Sequence, residues 1–189
     1  MDLKKISINV CDFALPTPRK GSIETLSGFG DAAAALGLEI HQKVQKHRSK
    51  NSTNYSAEVK VSQKFQRGNF EFHIAGRMDG LFSGSSPLIE EIKTTFSVEE
   101  LARKLRGAEL EHPYCLQLQT YGYFYFLENG VVPRLSFHIV STRNFRGHDY
   151  SLDLNTSAYE KWLDRRLDEL VSETEAVEKT VQRRRKVAR

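Results

Sequence analysis

Cysteine is scarce: the 189-residue chain has two, Cys11 and Cys115, far apart and in no metal-ligand spacing. That excludes a disulfide framework within the chain, and equally an iron–sulfur cluster held by four cysteines. Long apolar runs are missing too. None approaches the roughly 20 residues a helix needs to cross a bilayer, so no membrane partner is expected, and the N-terminus carries no apolar region of signal-peptide type. There is no internal repeat and no Walker motif, so this chain alone is not expected to hydrolyse ATP. A strong excess of one charge is absent as well: 28 Lys plus Arg stand against 24 Asp plus Glu, a formal net charge of +4. Such a mild basic excess is compatible with nucleic acid without being diagnostic of it. The expected setting is the reduced cytoplasm. The expected organisation is a single domain over 1–189, with 1–30 as an N-terminal extension and 156–189 as a C-terminal helix.

What the chain does have is one stretch around which the rest is arranged. Gly76-Arg77-Met78-Asp79-Gly80 is followed by Leu88-Ile89-Glu90-Glu91-Ile92-Lys93-Thr94-Thr95, with the turn residues Ser83-Gly84-Ser85-Ser86-Pro87 between. This reads as a β-hairpin, Phe70 to Phe82 and Leu88 to Thr94. Side chains alternate along a strand, so Ile89, Glu91 and Lys93 share one face while Glu90 and Ile92 take the other. An acid on one strand and Glu-x-Lys on the next can bring two carboxylates to a hard divalent cation, with the Ile92 carbonyl as a further oxygen. Lys93 would then stand beside the attacking water of a phosphodiester hydrolysis. The plainer reading is an Asp in a turn and a surface Glu/Lys pair, because this pattern recurs by chance.

The remaining elements follow from periodicity and caps. A strand is expected at Ile6–Val10, an extended Leu15–Lys20 segment with two prolines, and a helical turn at Gly21–Thr25. Asp31 is the expected N-cap of a helix to about His47, with Gly37 marking a close approach and His41 on the same face. A polar loop, Lys46–Asn54, should lead to a strand from Tyr55 to Phe65 whose Ala57, Val59 and Val61 face inward, and Glu58 is either a peripheral acid or solvated. Ser97, with Glu100 as capping-box acid, opens a helix ending near Gly107 that carries Arg103, Lys104 and Arg106. The next helix runs from His112 to Asn129 with Pro113 in its first turn, and places Gln117 and Tyr121 on one face. Strands follow at Arg134–Ser141 and Tyr150–Leu154, separated by the basic loop Arg143–His148. Thr156 or Ser157 then caps a long helix with Trp162, Leu163, Leu167, Leu170, Val171 and Val181 as its apolar stripe. It ends in Arg183-Arg184-Arg185-Lys186, either a solvated end or a nucleic-acid contact. The uncapped stop at Arg189 suggests a piece of a longer protein.

Read together, a helix with G-x3-H, then GRMDG, IEEIKTT and H-x4-Q-x3-Y on a helix resembles the PD-(D/E)XK nuclease superfamily in its RecB-like branch. His41, Asp79, Glu91, Lys93, Gln117 and Tyr121 fill that branch's slots in order. A closer resemblance, over nearly the whole chain, is to the N-terminal nuclease-like domain of bacterial DinG-type DEAD/DEAH helicases. It rests on Pro18–Ser22, Gly76–Phe82, Glu90–Thr95, His112–Tyr125 and the basic C-terminal end. The cluster cysteines of some RecB-like nucleases are missing.

The resemblance implies an α/β, restriction-endonuclease-like core, a central mixed sheet flanked by helices. It implies Mg²⁺- or Mn²⁺-dependent hydrolysis of DNA, on single-stranded or flapped substrate, in DNA repair or processing, with a helicase domain following in the full-length chain. His41, Asp79, Glu91 and the Ile92 carbonyl would hold the metal. Lys93 would position the water, and Gln117 and Tyr121 would hold the substrate strand or the hydrogen bonds around Lys93. Nucleic-acid contacts fall to Arg77, Thr94, Arg103, Lys104, His112, Gln117, Tyr121 and Arg143. The alternatives are a catalytically weak DNA-binding module that targets a helicase to its substrate, and a purely structural domain.

Overall fold

A computed structural model describes residues 3–15 and 29–187; of 29–31 and 181–187 only the backbone is described. Among them are six strands and five helices: β1 (Lys4–Asn9), α1 (Val10–Phe13), α2 (Phe29–Asn51), β2 (Tyr55–Arg67), β3 (Phe70–Phe82), β4 (Leu88–Thr95), α3 (Val98–Leu105), α4 (Pro113–Asn129), β5 (Arg134–Ser141), β6 (Gly147–Leu152) and α5 (Thr156–Val187). This is the expected α/β architecture, a mixed sheet flanked by helices with a long C-terminal helix. No described helix is long and apolar enough to cross a membrane.

The sheet is organised on β3. One edge of β3 carries β2, antiparallel, from Tyr55↔Phe82 to Arg67↔Phe70, with a break at Glu58 opposite Asp79. The other edge is shared. β1 runs parallel to it over Phe70–Ala75, and β4 runs antiparallel over Gly80–Phe82. Between them, residues 76–79 have no strand partner on that edge. β4 instead turns to a parallel pairing with β5 along its whole length, and β6 closes the far edge. The strand order is β1-β3-β4-β5-β6, with β2 on β3.

Helices cover both faces. Glu90 and Ile92 of β4 and His138 of β5 lie on one face, where α2 reaches them through Arg48. Glu91 and Lys93 lie on the other, where α4 meets them through Gln117. α4 is buried almost all round from Cys115 to Phe124, which accounts for its many aromatic residues. α5 seals it from outside: the Tyr159 hydroxyl meets Thr120 Oγ1 at 2.6 Å, and Trp162 packs edge-on against Phe13. Tyr159, Trp162, Leu163, Leu167 and Leu170 form the buried stripe of α5.

Several expectations move. β1 spans Lys4–Asn9 instead of Ile6–Val10, because Asn9 Oδ1 accepts the Asp12 N–H at 2.7 Å and starts α1 at Val10. α2 begins at Phe29, so Asp31 lies inside the helix and does not cap it, and α2 runs through the presumed polar loop to Asn51. Arg48 holds that extra turn down on Glu90. Ser97 caps α3 as expected, its Oγ accepting the Glu100 N–H at 3.3 Å, but the Glu100 carboxylate goes to Lys104 rather than back to the cap. β6 starts at Gly147, not Tyr150. Asn155, not Thr156 or Ser157, caps α5, its Oδ1 accepting the Ala158 N–H at 3.0 Å. On β2 the expected inward face is partial: Val61 is buried and Val59 half-buried, but Ala57 is exposed. The Gly21–Thr25 turn, residues 16–20, and the side chains of Val181 and Arg183–Lys186 lie outside the described residues.

Arg166 is the polar residue of α5 that the apolar stripe does not reveal. Its Nε donates to the Phe13 carbonyl at 3.0 Å, and its Nη1 meets Glu169 and Glu173 at 3.1 and 2.9 Å. It thus ties α5 to the end of α1. Arg166→Met keeps most of the packing volume but leaves the Phe13 carbonyl without its donor. Urea unfolding should show a loss of about 2 kcal/mol, the scale of a hydrogen bond to a charged group. A loss below about 0.5 kcal/mol, the range of ordinary surface changes, would show that the tie is not needed.

Candidate metal and nucleic-acid site

The gap on the β3 edge is where the candidate residues converge. Asp79 is the last residue of β3 before β4 joins. Its Oδ2 accepts the Ile92 N–H of β4 at 2.8 Å, so a carboxylate takes the place of a ladder partner. On an extended strand the N–H and C=O of one residue leave on the same edge, which turns the Ile92 carbonyl toward this gap as well. Gly76 at the other end of the gap is a close approach: an added Cβ would lie 2.8 Å from both the Tyr121 ring and Val10. Only glycine lets α1 and α4 come down on the strand here.

Glu91 and Lys93 project to the same face, as the alternation requires, and meet each other. Lys93 Nζ donates to Glu91 Oε1 at 2.8 Å and to Gln117 Oε1 at 3.1 Å. Gln117 Nε2 donates to the same Glu91 oxygen at 2.8 Å and lies 3.4 Å from the Tyr121 hydroxyl. Lys93 Nζ also sits 4.4 Å from the centre of the Tyr114 ring. Glu91 is 2% exposed, and its Oε2 is buried without a hydrogen-bond partner among the described residues. His41 of α2 approaches from the other side, its Nδ1 3.6 Å from Asp79 Oδ2. Gly37, one turn before His41, packs against β4, where an added Cβ would come within 3.3 Å of Thr94 Oγ1.

The electrostatics follow from burial. Burial pushes the Glu91 carboxyl up to about 7; Asp79 adds to the rise, and Lys93 opposes it without cancelling it. Burial acts to depress Lys93, but the adjoining Glu91 carboxylate outweighs it and the ammonium is held above its usual range. Burial raises the Tyr121 phenol, which stays protonated. Two carboxylates therefore share one firmly charged cation. An orphaned carboxylate oxygen, a second carboxylate and an imidazole make a donor set that suits a hard or borderline divalent cation.

A cavity of about 650 Å³ opens beside Asp79, lined by His41, Gln45, Glu58, Arg77, Gln117 and Tyr121 among others. Gln45 and Tyr55 were not apparent as site residues. Gln45 Nε2 donates to the Asp79 carbonyl at 3.0 Å and to Glu58 Oε1 at 2.7 Å, and the Tyr55 hydroxyl lies 3.4 Å from the same carbonyl. Glu58 takes a left-handed backbone conformation, φ 57°, opposite Asp79 on β2. It ion-pairs with Arg77, so it is a rim acid of the cavity. The signal for Gln45 was its place one helical turn beyond His41.

The other residues expected to touch nucleic acid are more dispersed. Arg77 lies on the cavity rim. His112 caps α4, its Nδ1 accepting the Tyr114 N–H at 3.2 Å, and burial with Lys104 and Lys93 nearby holds its imidazole below the usual range. Lys104 pairs with Glu100, Arg103 sits in the last turn of α3, and Arg143 lies over the Phe96 ring. On the opposite face, Glu90, His138 and Asp149 bring ligand atoms within 4.8 Å of one another, a group that could hold a divalent metal. The Arg48 guanidinium sits against it, 2.8 Å from Glu90 and 3.3 Å from His138.

The raised Glu91 gives a pH signature. With no metal bound, the folded chain keeps a proton on Glu91 that the unfolded chain releases near 4.5, so stability falls as pH rises through about 7. Glu91→Gln should flatten that fall, read from melting temperatures in EDTA between about pH 5 and about pH 8. Parallel declines in the two proteins would place the titrating group elsewhere.

The sequence matches no family model and no curated protein. Among solved structures, the crystal structure of SSO0001 aligns with a TM-score of 0.55 at 18% identity, over 85% of this chain and 75% of that one. A protein from Eubacterium rectale, provisionally described as an exonuclease, aligns more distantly, with a TM-score of 0.41 at 11% identity over 68% of this chain and 47% of that one. The first likeness shows a shared fold.

Proposed function

We propose that this chain is a PD-(D/E)XK-type nuclease domain of the RecB-like kind, which hydrolyses DNA phosphodiester bonds with Mg²⁺ or Mn²⁺. The observation that carries the reading is the meeting of Asp79, Glu91 and Lys93 at the opening between β3 and β4, with one buried Glu91 oxygen left unpartnered. Asp79, Glu91, His41 and the Ile92 carbonyl are the groups that would hold the metal. When bound, such an ion polarises the phosphate and lowers the pKa of a water.

The chain's own groups supply the rest. Lys93 is held as a cation by Glu91 and Gln117, close enough to the carboxylates to orient a water and to offset charge gathering on the phosphate. Gln117 fixes Lys93 by accepting from it while donating to Glu91, and Tyr121 stands behind the amide. Gln45 and Tyr55 hold the Asp79 main chain in place. The cavity beside Asp79 opens to a rim where Arg77 pairs with Glu58, so a phosphate of the substrate strand would meet Arg77 by exchange with that carboxylate. On this reading the substrate is single-stranded or flapped DNA, the setting is repair or processing, and a helicase region accompanies the domain in the full-length protein.

End-labelled single-stranded and flapped DNA should be cut in Mn²⁺ or Mg²⁺ and left intact in EDTA. Asp79→Ala and Lys93→Ala should each lower the rate by at least about a hundredfold, the scale of removing one electrostatic group from a reacting centre. Their circular dichroism and DNA binding should be retained. Undiminished cutting by Lys93→Ala would sink the assignment. DNA binding without metal-dependent cutting by the native chain would favour a targeting module.

A further inference from the structure

Two phenylalanines stand in solvent where β4 and β5 end side by side. Phe96 directly follows β4 and is 68% exposed; Phe145, in the turn between β5 and β6, is 60% exposed. Leaving two large apolar rings in water forgoes the stabilisation that burying them would give. Phe145 has in addition a φ of 57°, a left-handed conformation that bulky residues avoid. The turn is nevertheless well built. The Ser141 hydroxyl accepts the Arg143 N–H at 3.2 Å, Asn144 Oδ1 accepts the Arg146 N–H at 3.1 Å, and the Phe145 N–H donates to the Ser141 carbonyl at 2.9 Å.

Positive charge surrounds these rings. The Arg143 guanidinium lies 4.8 Å from the centre of the Phe96 ring. A cavity of about 340 Å³ lies between Phe96, Glu99, Arg143, Arg146 and His148, with Glu99 as the acid on its wall. Glu99 accepts from the Ser97 hydroxyl, and neither Arg143 nor Arg146 pairs with a carboxylate among the described residues. Thr95 pairs with Ser141, so the patch continues the β4–β5 ladder beyond Lys93. Phe96 lies three residues after Lys93, about 10 Å along the strand.

We propose that this patch binds single-stranded DNA, with Phe96 and Phe145 stacking on unpaired bases and Arg143 and Arg146 meeting the phosphates. Exposed aromatic faces interleaved with unpaired arginines are complementary to a strand whose bases are free and whose backbone is anionic. A duplex offers the same phosphates but no free base faces. That the bound strand continues to Lys93 rests on the nuclease reading; the binding itself does not.

The test is fluorescence anisotropy of labelled oligothymidylate and of a labelled duplex with the full chain in EDTA, where no cutting can occur. The Phe96→Ala/Phe145→Ala variant should bind the single strand at least about tenfold more weakly, as expected for the loss of base stacking. Its duplex affinity should be unchanged. Arg143→Ala/Arg146→Ala should lower the slope of log affinity against log salt by about two on the single strand. Unchanged single-strand affinity in the phenylalanine variant, or an equal loss on duplex, overturns the proposal. If the native chain fails to cleave but the phenylalanine variant loses single-strand binding, the nuclease reading falls and the patch stands.

Discussion

The structure depends on a conflict at one edge of β3. β1 claims that edge in parallel over Phe70–Ala75, and β4 claims it antiparallel over Gly80–Phe82. One edge cannot carry both strands over the same residues, and β4 leaves it after Gly80↔Glu90, so β3 and β4 part there. Parting leaves backbone groups without ladder partners, which a protein interior does not tolerate. The Asp79 carboxylate resolves this by accepting the Ile92 N–H. A hydrogen bond to an ionised acceptor is stronger than the neutral amide pair it replaces. The same bond fixes a negative charge at the mouth of the opening. Strand divergence and the placing of the acid are one event.

Glu91 shows which force wins inside that opening. A lysine ammonium at 2.8 Å and a glutamine amide at 2.8 Å both favour its ionised form. Even so, burial and the neighbouring Asp79 push the carboxyl up to about 7. The desolvation cost therefore exceeds what the local donors return, and the unpartnered Oε2 is where the shortfall is visible. A site built only for stability would have replaced the pair with apolar groups, which is commonly neutral or better. Retaining two carboxylates against one lysine makes sense where a further cation completes the balance.

The parts legible in the sequence were those whose cause is local. Alternation placed Glu91 and Lys93 on one face and Glu90 on the other, and both placements hold. Ser97 marks a helix start by its own chemistry, and the Ser83–Pro87 turn residues join β3 to β4. The end of α2 was not legible, because Lys46–Asn51 has no apolar period of its own. What keeps those residues helical is an ion pair from Arg48 to Glu90, 42 positions away. Arg166 was hidden for the same reason, since its partner Phe13 is 153 positions distant. Asn155 caps α5 in place of the expected Thr156 or Ser157, because all three are good caps and only the path of the chain chooses. The local context of Gln45, likewise, did not disclose that its amide would reach the Asp79 carbonyl.

The two faces of β4 now take different meanings from almost identical letters. Glu90 and Glu91 are neighbours, yet a strand sends one toward α2 and the other toward α4, and a slip of one residue would exchange them. Glu90 meets the Arg48 guanidinium, with His138 and Asp149 around it. That group has the makings of a metal site, but it already holds a cation that belongs to the chain. Glu91 meets a lysine and keeps one oxygen free. Arg48 and His41 are two helical turns apart on α2, about 10 Å along its axis. The ion pair on one face therefore sets the height at which the imidazole reaches Asp79. In this arrangement Glu90 anchors the helix that brings His41 to Asp79.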